Sequence, residues 1–65
     1  MTTSEFIKSN LGDITVYRLS LLTGISITNL GRYIRGEQEP TIPKLKIIIK
    51  ALDINRDNIV DFLKA

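Results

Sequence analysis

The side chains in this sequence that could do chemistry are mostly hydrogen-bond donors. The chain has no cysteine and no histidine. The commonest general base, the commonest metal ligand and the thiolate nucleophile are therefore missing. Acidic residues stand singly, apart from Glu37 and Glu39, and there is no Gly-rich phosphate loop. These features argue against an enzyme, a metal site and a cofactor. What remains is a polar set at helical spacing: Thr28, Asn29, Arg32 and Arg35. Short polar side chains reach base edges or phosphates at close range. Arginine makes a bidentate contact to guanine O6 and N7. No acidic residue occurs from Val16 to Gly36, although Asp and Glu number 7 in 65 residues. An anionic partner against this stretch explains the gap. An ordinary solvated helix face is the competing explanation.

These residues lie in the stretch from Thr15 to Pro40, which reads as helix, tight turn and helix. Thr15 can cap a helix starting at Val16. Val16, Leu19, Leu22 and Thr23 share one face of it; Tyr17, Arg18 and Leu21 face away. Gly24 ends the helix in the left-handed conformation that glycine adopts without a Cβ penalty. Ile25 is an apolar plug and Ser26 the next cap. The second helix, Ile27 to Arg35, divides in two. Leu30, Tyr33 and Ile34 form an apolar arc with Ile27 at its edge. Thr28, Asn29, Arg32 and Arg35 form the polar arc, with Gly31 among them. Gly36 closes the helix, and Pro40 prevents the loop from re-forming it. Arg32 lies mid-arc, within reach of a base edge. Arg35 lies nearly a turn further on, where the nucleic-acid backbone would pass, and is assigned to phosphate.

The ordered set Leu19, Gly24, Ile25, Ser26, Leu30, Gly36, Pro40, Leu45 and Ala51-Leu52 resembles the Cro/repressor type of helix-turn-helix protein. That group contains the small lambdoid phage repressors and Cro proteins. The resemblance covers nearly the whole chain. It implies that Ser26, Ile27, Thr28, Asn29 and Arg32 face bases or adjacent phosphates. It implies that Thr15, Val16 and Tyr17 meet the DNA backbone. Three departures stand out. Ser20 replaces a frequent alanine. Ile34 replaces a frequent glutamate, so packing takes the place of an ion pair, a swap that is often neutral or stabilising. The loop Glu37-Gln38-Glu39 replaces lysines and arginines that touch phosphates in relatives, and this opposes backbone contact.

Three further helices flank the motif. Thr2 to Ser4 can cap a first one, with Glu5 favourable near its positive end and Phe6, Ile7 and Leu11 buried. Gly12-Asp13 reads as a turn. Thr41 caps a fourth helix, with Pro43 tolerated in its first turn. Its inward stripe is Ile42, Leu45, Ile48, Ile49 and Leu52. Lys44, Lys46 and Lys50 point outward, and so do Ile47 and Ala51. Lys44, near the helix start, is a further phosphate candidate. Asn55 caps the last helix, whose Ile59, Phe62 and Leu63 face in, with Val60 at the margin. This helix is expected to close the core beneath the first and fourth.

Sixty-five residues make one domain with a single modest core. A hydrophobic fraction of 43% suits a globular fold, and a net charge of +2 is only a mild basic bias. The amino terminus lacks a signal-peptide pattern, and no apolar run approaches the roughly 20 residues of a membrane span. The expectation is an all-α bundle of five short helices, lambda-repressor-like, occupying residues 1–65, with the second and third as helix-turn-helix. The function expected is a cytoplasmic, sequence-specific regulator, of the Cro-like repressor kind, binding double-stranded operator DNA as a homodimer. No cofactor, membrane or small-molecule ligand is expected. A protein-interaction module using Tyr17, Leu21 and Ile47, or an antitoxin-type domain, are the alternatives on the same fold.

Overall fold

The computed structural model describes residues 1–64. Five helices follow one another: α1 (Thr3–Asn10), α2 (Val16–Thr23), α3 (Ile27–Arg35), α4 (Ile42–Leu52) and α5 (Arg56–Lys64). Among the described residues there is no strand.

Local side-chain chemistry starts each of the first four helices. Thr2, Thr15, Ser26 and Thr41 each accept a hydrogen bond from the backbone N–H three residues on. Such a bond satisfies one of the orphan amides of a first turn. At α1 the arrangement is reciprocal, because Glu5 also accepts from the Thr2 backbone N–H at 3.1 Å. At α5, Asn55 Oδ1 accepts from the Asp57 amide at 2.7 Å. Two helices stop at left-handed glycines, Gly24 with φ 75° and Gly36 with φ 76°. The fourth stops at Asp53, φ 52°, a residue type that tolerates this region better than most.

Ile7, Leu19, Ile25, Leu30, Tyr33 and Ile48 form the core, one or two residues from each of α1 to α4 and one from the α2–α3 turn. Leu11, Ile14, Val16, Ile34, Ala51 and Leu52 pack around it. α3 lies against α1 and α2, and α2 against α4. Ile34 thus packs as its apolar character implies. The start of α1 is tied to the end of α3 by the Ser4 hydroxyl, which donates to the Ile34 carbonyl.

Four side chains depart from the faces that periodicity gave them. Leu22 is 50% exposed. The buried arc of α2 turns toward Ser20, whose hydroxyl donates to the Ile25 carbonyl at 2.7 Å. Leu22 is left roughly a third of a turn from the centre of that arc. Ile42 is 65% exposed, and Ala51 packs on the core instead of facing out. Both follow from an α4 contact centred on Ile48 rather than between Ile48 and Ile49. Leu63 is 73% exposed. α5 contains no buried residue and does not close the core. It docks on α1 through Phe62, which stacks on buried Phe6 with ring centroids 4.2 Å apart, and through Asn58, which donates to Asn10 Oδ1. A cleft of about 370 Å³ lined by Met1, Phe6, Asn10, Asn58, Asp61 and Phe62 separates the two helices.

Candidate nucleic-acid interface

The turn between α2 and α3 fixes the angle at which α3 stands out from the body. Three residues lock it. Ile25 is buried at 7% exposure and pins the turn to the core. The Thr23 hydroxyl donates to the Leu19 carbonyl at 2.8 Å and accepts from the Ile25 amide at 3.1 Å. The Ser20 hydroxyl closes the far side of the turn on the Ile25 carbonyl. Ser20 and Thr23 therefore position the site, a role periodicity alone did not reveal. The usable signal was a hydroxyl within one turn of a helix-ending glycine.

On α3, Leu30 and Tyr33 are buried and Ile34 is half-buried, so the opposite face is free. That face carries Thr28, Arg32 and Arg35, all exposed, with Gly31 between them. Asn29 is half-buried at its margin, and Ile27 is 50% exposed at its leading end. Ser26 is exposed, and its oxygen is occupied by the Asn29 amide at 3.1 Å, leaving its O–H to donate outward. The structure thus places Ser26, Ile27, Thr28 and Asn29 at the cap and first turn of α3, and Arg32 one turn beyond Thr28 on the exposed face.

The sequence-assigned phosphate residues are more heterogeneous. Thr15 caps α2 by accepting from the Arg18 amide at 3.1 Å and retains its O–H for another acceptor. The Val16 side chain packs on the core, so this residue offers its main-chain N–H and nothing more. That amide and that of Tyr17 are first-turn donors with no intrahelical acceptor, at the positive end of the helix dipole. Tyr17 is 62% exposed. Lys44 is half-buried, with its amide on the Thr41 cap.

Arg35 is not free. Its Nε donates to Glu37 Oε2, the ion pair found among the described residues. Both side chains remain more than half exposed. The hydrogen bond from Arg35, and then its charge, hold the Glu37 carboxyl below the usual carboxylate range, with a further pull from Arg32. Of the two acids in the Glu37-Gln38-Glu39 loop, Glu37 is thus engaged with α3 and Glu39 makes no ion pair among the described residues.

Other sites of chemistry are sparse. No group of three or more His, Cys, Asp or Glu that could hold a metal occurs among the described residues. No described helix is long and apolar enough to cross a membrane. A family model described as helix-turn-helix matches residues 10–59. No curated protein and no solved structure matches the chain closely enough to be counted as similar.

Proposed function

The chain belongs to the helix-turn-helix family of the Cro/repressor type, and on that premise we propose that it is a sequence-specific regulator that lays α3 in the major groove of double-stranded DNA. The observation that carries this reading is the outward face of α3. Thr28 and Arg32 stand exposed on it, and the chain bears no acid from Val16 to Gly36. Base edges are met by Ser26, Ile27, Thr28, Asn29 and Arg32. Phosphates are met by Thr15, Val16, Tyr17 and Lys44, Val16 through its amide. Chain position alone sets Arg35 beside phosphate as well. The protein acts in the cytoplasm, where a domain of this size blocks polymerase by occupying a promoter.

Two copies read a two-fold operator with half-sites about one helical turn apart. The protein is a monomer in dilute solution and dimerises on DNA. A tight dimer in sedimentation at nanomolar concentration without DNA contradicts this.

Selection of bound sites from a random DNA pool tests the function. A two-fold symmetric site is expected, with affinity that falls steeply as salt rises. No binding to any duplex at low salt overturns it. A second reading is favoured by the exposure of Tyr17, Leu21 and Ile47, at 62%, 61% and 44%. These residues suit a protein-interaction module on the same fold. That reading gains if DNA binding is absent or independent of salt.

A further inference from the structure

Gly31 occupies the middle of α3, where glycine disfavours a helix relative to alanine. Its backbone does not require glycine, because its φ is that of an ordinary helix residue. The space that a side chain would fill is taken by Arg35. An ideal Cβ on Gly31 would lie 2.9 Å from Arg35 Nη1, with Cζ and Nη2 at 3.6 and 3.7 Å. The Arg35 guanidinium is therefore folded back along the helix by one turn. It rests over Gly31, on the outward face. Glu37 holds it from the other side through Nε. The chain position of Arg35 suggested a phosphate contact because it lies nearly a turn beyond Arg32. Its guanidinium does not lie a turn beyond.

We propose that Gly31 and Glu37 position Arg35 as a second base-reading arginine of α3, so that the first acid of the loop sharpens specificity rather than only opposing the DNA backbone. Glu37 occupies Nε and leaves both Nη groups, four N–H donors, for an acceptor pair such as guanine O6 and N7. A free arginine explores many rotamers and meets phosphates on any sequence. An arginine held at one edge by a carboxylate and seated over a glycine presents its fork in fewer orientations. Glu37 is a positioning residue here, because it acts through Arg35. The inference rests on the major-groove reading above and revises the part that chain position gave to Arg35.

The test compares the duplex selected from the random pool with its scrambled counterpart, and reads the ratio of the two affinities. Arg35→Ala should lower that ratio by about ten-fold, the size of a lost bidentate base contact. Glu37→Gln should lower it by about two- to five-fold, in keeping with an exposed ion pair. Gly31→Ala should also lower it while leaving the melting temperature unchanged or raised, since the neighbour it displaces is the end of a flexible side chain. Neither Glu37→Gln nor Gly31→Ala should change the ratio once Arg35 is alanine. The proposal is overturned if Glu37→Gln tightens both duplexes alike, or if Arg35→Ala weakens both alike. Wild-type protein that binds the selected duplex with a steep salt dependence upholds the DNA reading in either case. Wild-type protein that binds neither duplex removes both.

Discussion

On the proposed DNA reading, Arg32 is the residue on which base recognition should most depend. It is exposed, it lies mid-way along the outward face of α3, and no carboxylate among the described residues forms an ion pair with it. Its donors are thus available without breaking an existing contact. Arg32→Ala should cost about 1–3 kcal/mol on the selected operator and relax preference at one position per half-site, a guanine. Equal weakening on operator and scrambled DNA would place Arg32 at phosphate instead. Glu5 carries a separate, stability-related prediction. Hydrogen bonds from the Thr2 backbone amide and from the Thr2 hydroxyl hold its carboxyl below the ordinary range, with the amino terminus and Lys8 adding charge. A carboxylate depressed in the folded state stabilises fully above its unfolded pKa and loses that contribution as pH falls through the folded value. Melting temperatures between pH 7 and pH 3 should therefore fall less for Glu5→Gln than for the wild type. Parallel pH profiles would show that the charge on Glu5 adds nothing to the reciprocal cap, since glutamine keeps the acceptor.

The α2–turn–α3 element depends on backbone conformation more than on burial. Gly24 is exposed, and an ideal Cβ there would meet no atom within 4 Å. Its requirement for glycine is the positive φ alone. Gly24→Val should destabilise by about 1–2 kcal/mol or more, because a β-branched residue is poorly tolerated in the left-handed region. Gly24→Asn should cost less, since asparagine visits that region more readily. Thermal or denaturant unfolding orders the three proteins, and a valine variant as stable as the wild type would remove the conformational argument. The hydroxyls of Ser20 and Thr23 then brace the turn from which α3 leaves, and so help fix the direction of its outward face.

Across the whole molecule, stability is unevenly spread. α1 to α4 share the core, whereas α5 has no buried residue and rests chiefly on the Phe6–Phe62 stack. Few buried apolar contacts mean low local stability against opening. The amides of α5 should exchange with solvent faster than those of α3 in native-state hydrogen exchange. Equal protection in the two helices would contradict the peripheral docking of α5. The exposed Val60 and Leu63 follow from the same loose attachment. The face proposed to read DNA lies on α3, which belongs to the well-packed part, so opening of α5 should leave it in place.

The sequence by itself determined where the first four helices begin and where two of them end. Thr2, Thr15, Ser26 and Thr41 at the starts, and Gly24 and Gly36 at the stops, act over three or four residues of chain. Interactions that short are written locally, and so is the separation of Leu30 and Tyr33 from Thr28 and Arg32 around α3. The stop at Asp53 was less legible, because aspartate tolerates positive φ without demanding it. Only the tertiary structure decided how far each helix is rotated against its neighbours. That rotation exposes Leu22 and Ile42 and draws Ala51 in. Periodicity defines an apolar arc, but the neighbouring helix selects which part of the arc it covers. The place of Arg35 was hidden for a related reason. A long side chain can reach a full turn from its own Cα, and where it goes depends on the space at Gly31 and the carboxylate of Glu37.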